Sequence, residues 1–180
     1  MLAYPEHFAS VLSAIGVASR SRGLLVVPGG GPFADAVREV SCRLHLDDDP
    51  AHWMAVLAMD QYAHVVVAGL AGSVLVTDPR TIGEALDACH VPVLSPSRWM
   101  RDADPLPHSW DVTGDSIAAW VAGEVGARTL ILIKPPGAGG LNPAGGSLVD
   151  AYFTRALPGH VTANVVAADQ IAALEAALNA

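Results

Sequence analysis

Three stretches of this chain combine residue types that could hold an anion and move a charged group. Residues 27–35 read Val-Pro-Gly-Gly-Gly-Pro-Phe-Ala-Asp. Gly29, Gly30 and Gly31 stand between an apolar run and a helical pattern, so backbone can approach a ligand with no Cβ in the way. The helix that follows would aim free N–H groups and its positive dipole end at an anion. The run is neither GxGxxG nor GxxxxGK[ST], and a tight strand-to-helix turn without a ligand would use the same glycines. Residues 106–118 read Leu-Pro-His-Ser-Trp-Asp-Val-Thr-Gly-Asp-Ser-Ile-Ala. Thr113 can cap a helix with Asp115 and Ser116 in its first turn, but capping leaves His108, Ser109 and Trp110 unexplained and points to ligand binding there. The third feature is Lys134, the single lysine of the chain, at the end of an apolar strand. Open α/β sheets bind ligands beyond such strand ends, and an ammonium there can neutralise a transferring phosphoryl group. A solvated lysine closing a strand is the plain alternative. Arg38, about a turn and a half past the glycines, is in reach of an anion or of solvent. His52 opens a long helix and either faces the glycine loop or marks a helix end.

Hydrophobic periodicity supplies the elements that must position these groups. Helices are expected over 4–21, 33–44, 51–67, 81–88, 113–125, 147–157 and 168–178. Strands are expected over 24–27, 74–76, 91–94, 128–134 and 161–166. The strands are apolar without alternation, the mark of a mostly parallel sheet covered on both faces. Residues 24–27 and 129–133 are expected in its interior. Residues 95–108 read as loop-rich, with Pro96, Pro105 and Pro107, and the Gly/Pro-rich stretch 135–146 as a lid or a surface loop. No internal repeat or linker divides the chain, so 1–180 reads as one domain.

The helix opening at Asp115 carries the chain away from the strand-exit edge, and the strand ending at Lys134 brings it back. The two side chains are therefore expected to meet in one cleft. A β-branched residue at Gly30 is expected to abolish acceptor binding and leave the fold largely intact.

Composition narrows the function. A net charge of −8 argues against nucleic acid as partner. No apolar run of membrane-spanning length and no signal-peptide pattern occurs, so the protein is expected in the cytoplasm, away from membranes. Cys42 and Cys89 form no CxxC pattern and read as ordinary thiols. His7, His45, His64, His90 and His160 show no metal-ligand spacing, and no metal site is expected. With 52% hydrophobic and 16% charged residues, apolar surface is left over for contacts, and a homo-oligomer is expected.

The glycine loop, the helix from Ala51-His52 to Met59-Asp60, and residues 106–118 together resemble the amino-acid kinase family. They are most similar to its branch containing aminomethylfuran phosphate kinase of methanofuran biosynthesis. That branch carries Pro-His-Ser-Trp-(acidic)-Val-Thr-Ser-Asp-Ser-Ile, matched here except for Gly114 in place of Ser. The resemblance spans residues 24–134. It implies a three-layer αβα sandwich with a mostly parallel central sheet. It also implies ATP and Mg as cofactors and a small phosphorylated (or carboxylate) acceptor, best matched by [5-(aminomethyl)furan-3-yl]methyl phosphate. Asp115 and Lys134 would be catalytic. Gly29, Gly30, Gly31, Arg38, His52, His108 and Ser109 would bind the acceptor, and Lys134 and Gly137 the nucleotide. Two features of the family have no counterpart in these residues: an opening Lys-x-Gly-Gly-Ser strand, and a Thr-Asp-Val-Asp-Gly type loop, where Lys134-Pro135-Pro136-Gly137 stands instead. An alternative therefore stays open: a kinase-fold binding or assembly protein that keeps the acceptor site but not the ATP site.

Overall fold

The computed structural model describes residues 4–138 and 148–180. Part of the expected loop at 135–146 and the start of the helix expected at 147–157 lie outside the described residues. In chain order the elements are α1 (Pro5–Ala18), α2 (Gly31–Leu44), α3 (Asp48–Gly69), β1 (Ser73–Val76), α4 (Pro79–Asp87), β2 (Val91–Leu94), α5 (Ser97–Ala103), α6 (Gly114–Glu124), β3 (Thr129–Lys134), α7 (Phe153–Ala156), β4 (Thr162–Ala167) and α8 (Ile171–Asn179). Helices alternate with short parallel strands, so the fold is α/β. The chain gathers into two compact units, Gly23–Gly114 and Met1–Arg22 with Asp115–Ala180.

In the Gly23–Gly114 unit, α3 begins with Asp48, Asp49 and Pro50 in its first turn. The two carboxylates offset the helix dipole there, and proline lacks only an N–H that is unpaired at that position anyway. Val56, Met59, Ala63 and Val66 form its buried stripe at helical spacing. Asp78 starts α4 with a reciprocal cap: its carboxylate accepts the Thr81 N–H, and the Thr81 hydroxyl accepts the Asp78 N–H. β1 and β2 pair in parallel from Ser73 with Val91 to Val76 with Leu94.

Residues 24–27 do not form an interior strand. Val26 makes a single parallel bridge to Val93, through Val26 N–H to Pro92 C=O at 3.0 Å and Leu94 N–H to Val26 C=O at 2.9 Å. The next residue but one, Pro28, has no N–H with which to extend the ladder. The interior position belongs to β2, which has β1 on one side and Val26 on the other and is buried at all four residues.

In the other unit, β3 and β4 pair in parallel from Thr129 with Thr162 to Lys134 with Ala167. Among the described residues this sheet has two strands, so β3 is not interior either. Leu132 alone of its residues is buried. An apolar run signals a strand without stating how many neighbours the strand acquires. α6 buries Ser116 through Ala119 together with Val121 and Ala122. A Cβ on Gly123 would lie 2.7 Å from Pro158 Cγ, so glycine permits this contact. α1 packs on α8, and Arg22 donates to the Asn179 carbonyl at 3.0 Å.

The loop-rich stretch 95–108 holds one short helix that its prolines did not announce, α5, anchored by buried Trp99 and Met100. The Ser97 N–H in its first turn is met by the Asp60 carboxylate from α3 at 3.1 Å. The helix expected over 147–157 is reduced to the single turn α7.

Candidate functional site

The glycine loop closes directly into α2, with Gly30 as N-cap and Pro32 in the first turn, and no side chain caps the helix. Its first-turn N–H groups are thus the kind that accept an anion. Two of the three glycines are required, for different reasons. Gly31 has φ +52°, a conformation that side chains rarely adopt, and a Cβ there would meet the Tyr62 ring at 3.1 Å. Gly30 has an ordinary φ of −74°, but its Cβ would lie 2.4 Å from the Ala34 Cβ. A β-branched residue at Gly30 therefore disturbs the packing of α2, contrary to the expectation of an intact fold. Gly29 has nothing within 4 Å of where a Cβ would be.

Segment 106–114 returns to this loop. A Cβ on Gly114 would lie 3.2 Å from Gly29 Cα, so glycine in place of the branch's serine lets the two backbones approach. Trp110 receives the Arg38 guanidinium 4.6 Å from its ring centroid. Arg38 is also 3.6 Å from Asp35, and its side chain is 51% exposed. Ser109 closes a local turn, its hydroxyl accepting the Asp111 N–H.

His108 and His52 stack with ring centroids 4.2 Å apart and planes 13° from parallel, and Trp53 packs edge-on to both. The ring nitrogens of His108 meet two carboxylates, Nδ1 with Asp49 at 2.7 Å and Nε2 with Asp104 at 2.9 Å. Burial opposes charge on His108, but the hydrogen bonds and charges of Asp104 and Asp49 outweigh it and raise the pKa. His52 goes the other way, lowered to about 4 first by burial and then by the neighbouring His108 charge. Its Nε2 is buried with no hydrogen-bond partner among the described residues. Direct ligand contact by His108 would have to displace a carboxylate.

In the other unit Lys134 Nζ donates to Asp115 Oδ2 at 2.6 Å, across 19 positions of sequence, as the helix-and-return geometry requires. Both side chains are under one-fifth exposed. The Asp150 N–H donates to the same Asp115 oxygen at 3.2 Å. The Asp150 carboxylate accepts from both the main-chain N–H and the hydroxyl of Ser116. Gly137, φ +79°, lies beyond Lys134 and donates its N–H to Asp169 at 3.2 Å.

Gly29, Gly30, Gly31, Arg38, His52, His108 and Ser109 thus lie in the Gly23–Gly114 unit, and Asp115, Lys134 and Gly137 in the other. Sequence reasoning missed Asp49 and Asp104 as partners of His108, and missed Asp150. No motif or spacing ties Asp150 to residues 34 positions earlier.

The amino acid kinase family model matches residues 2–135. This chain belongs to the amino acid kinase family. It is similar to [5-(aminomethyl)furan-3-yl]methyl phosphate kinase of Methanocaldococcus jannaschii, 23% identical over 155 residues, covering 86% of this chain and 64% of that relative. The chain therefore spans less than two thirds of the relative's length. In this family member no group of three His, Cys, Asp or Glu side chains among the described residues could hold a metal ion. Mg²⁺ at phosphoryl-transfer sites is commonly held by substrate phosphates with one or two carboxylates; here the carboxylate of Asp115 meets the lysine, and that of Asp150 is taken by Ser116. Among the described residues no helix is long and apolar enough to cross a membrane.

Proposed function

We propose that this protein is a small-molecule kinase that transfers the terminal phosphoryl group of Mg-ATP to a phosphate (or carboxylate) acceptor. The best candidate acceptor is [5-(aminomethyl)furan-3-yl]methyl phosphate, on the strength of the relative's name. The observation that carries the reading is the 2.6 Å contact of Lys134 with Asp115 at the exit of β3. In the transfer an acceptor oxygen attacks the γ-phosphorus, the bond to the β,γ-bridging oxygen breaks, and ADP leaves. Catalysis of such a step is mostly positioning and charge stabilisation. Lys134 supplies positive charge to the phosphoryl oxygens, and Asp115 fixes the ammonium's direction. Gly29–Gly31 and Arg38 hold the acceptor's anionic group through N–H donors and the guanidinium. His52, His108 and Ser109 hold in place the segment that lays Trp110 against Arg38. Gly137 serves the nucleotide side.

The alternative, a binding protein on a kinase fold, draws on Pro135 and Pro136, which remove two N–H donors from the stretch after β3. Calorimetry separates the two. Binding of a non-hydrolysable ATP analogue with Mg²⁺, and ADP formation that depends on the acceptor, support the kinase. Acceptor binding with no analogue binding supports the alternative. We further expect a cytoplasmic protein, in keeping with exposed, unbridged Cys42 and Cys89. We expect no nucleic-acid partner, and a second copy of the chain as cover for apolar side chains such as Leu44 on α2.

A further inference from the structure

We infer that Asp150 is a positioning residue for the Asp115–Lys134 pair, an inference that rests on the kinase reading for its consequence in catalysis but not for its geometry. Asp150 holds Asp115 from two directions. Its carboxylate takes both donors of Ser116, the residue next to Asp115, with the main-chain N–H at 3.0 Å and the hydroxyl on the other oxygen. Ser116 is fully buried, at 0% exposure. A carboxylate accepting a main-chain N–H in the first turn of a helix satisfies a donor that the helix itself cannot. Here that carboxylate comes from 34 positions away. The second direction is the main chain: the Asp150 N–H reaches Asp115 Oδ2 at 3.2 Å, the oxygen that also receives Lys134 Nζ.

Asp115, Ser116 and Asp150 therefore close a ring of contacts. The start of α6 is tied to Asp150, and Asp150 in turn ties down the Asp115 carboxylate. The Asp150 N–H and the Lys134 ammonium thus share Oδ2 of Asp115. A carboxylate free to rotate about its χ angles would spread the ammonium over several positions. One held at both ends presents it in a single direction, and a misplacement of about 1 Å can reduce turnover on the order of a hundredfold.

Because Lys134 is the only lysine in the chain, lysine labelled with ¹³C and ¹⁵N gives a single side-chain signal that reports on this ammonium without nucleotide or turnover. In Asp150→Ala that signal is expected to move to, or broaden like, the signal in Asp115→Asn. In the same variant kcat is expected to fall about tenfold or more with the acceptor KM retained. Ser116→Ala, which removes only the hydroxyl, is expected to move the signal part of the way. It provides the test should Asp150→Ala fail to fold. A Lys134 signal that moves in Asp115→Asn but stays in place in folded Asp150→Ala, or in Ser116→Ala when the first variant does not fold, would overturn the inference. The wild-type protein's failure to make ADP would remove the kinase reading and leave this spectroscopic result to stand or fall by itself.

Discussion

The imidazole of His108 and the ammonium of Lys134 both meet carboxylates at close range, and their side chains are almost equally exposed, at 19% and 17%. They differ in what they have left. Imidazole has two ring nitrogens, and Asp49 and Asp104 occupy both. Ammonium has three donors, and among the described residues one is directed at Asp115. The first cluster is closed, a staple from the first turn of α3 to the end of α5, where Asp104 takes a left-handed conformation at φ 41°. In the proposed kinase the second would turn its remaining donors to an incoming anion. Charge pairing and burial are alike in the two clusters, so the proposed difference in role rests on the donors each has left.

The widest separation is expected from activity. Lys134→Ala should lower kcat by roughly 10²–10³-fold, the range seen when a donor to a developing charge is removed. Asp115→Asn should also reduce kcat, and the double variant should lose less than the sum of the two losses, because both act on one ammonium. Steady-state kinetics on folded variants reads this directly. Strictly additive losses would break the comparison by taking the pair apart.

The closed cluster should show itself in stability against pH. His52 stays neutral in the fold down to about 4, against an ordinary value of 6.5. Stability is therefore present above 6.5 and declines as pH falls from there toward 4, by an amount on the order of 2–3 kcal/mol. His108 is shifted upward, so its contribution is full below its ordinary value and is lost as pH rises through the raised one. The two windows meet near 6.5, where urea denaturation across pH should find a maximum. His52→Phe should flatten the acid limb, and His108→Asn the alkaline limb. A profile unchanged by either variant would show that these rings do not couple to folding.

Smaller effects sharpen the glycine loop. Gly30→Val should cost about 1–3 kcal/mol through overpacking against Ala34. Gly29→Ala has open space and should change stability by no more than about 0.5 kcal/mol. If the loop holds the acceptor, Gly29→Ala should still weaken acceptor binding in a calorimetric titration, and an unchanged affinity would reduce the loop to a turn.

Much of this could be read from residue order. The glycine run opening into α2, the long α3, and the meeting of Asp115 with Lys134 all follow from periodicity and from helix and strand rise. What stayed hidden depends on partners distant in sequence. Asp60 reaches α5 across 37 positions, and Asp150 reaches α6 across 34; neither carboxylate has a local pattern to announce it. The half-exposed β3 and the single bridge at Val26 were hidden for a related reason. Apolar runs show that a strand will form, but its neighbours are chosen by the rest of the chain. His108 stood out by composition, yet the carboxylates that saturate it lie 59 and 4 positions away, and only the structure joins them.

The most direct test of phosphoryl transfer is ³¹P NMR of the protein with Mg-ATP and [5-(aminomethyl)furan-3-yl]methyl phosphate, run beside Lys134→Ala of matched circular dichroism. In the wild type, ATP signals are expected to give way to those of ADP and of a new acceptor diphosphate, and in the variant this conversion is expected to be nearly absent. Conversion at equal rates in both proteins would contradict the role given to Lys134, and no new diphosphate in the wild type would contradict the proposed reaction with this acceptor.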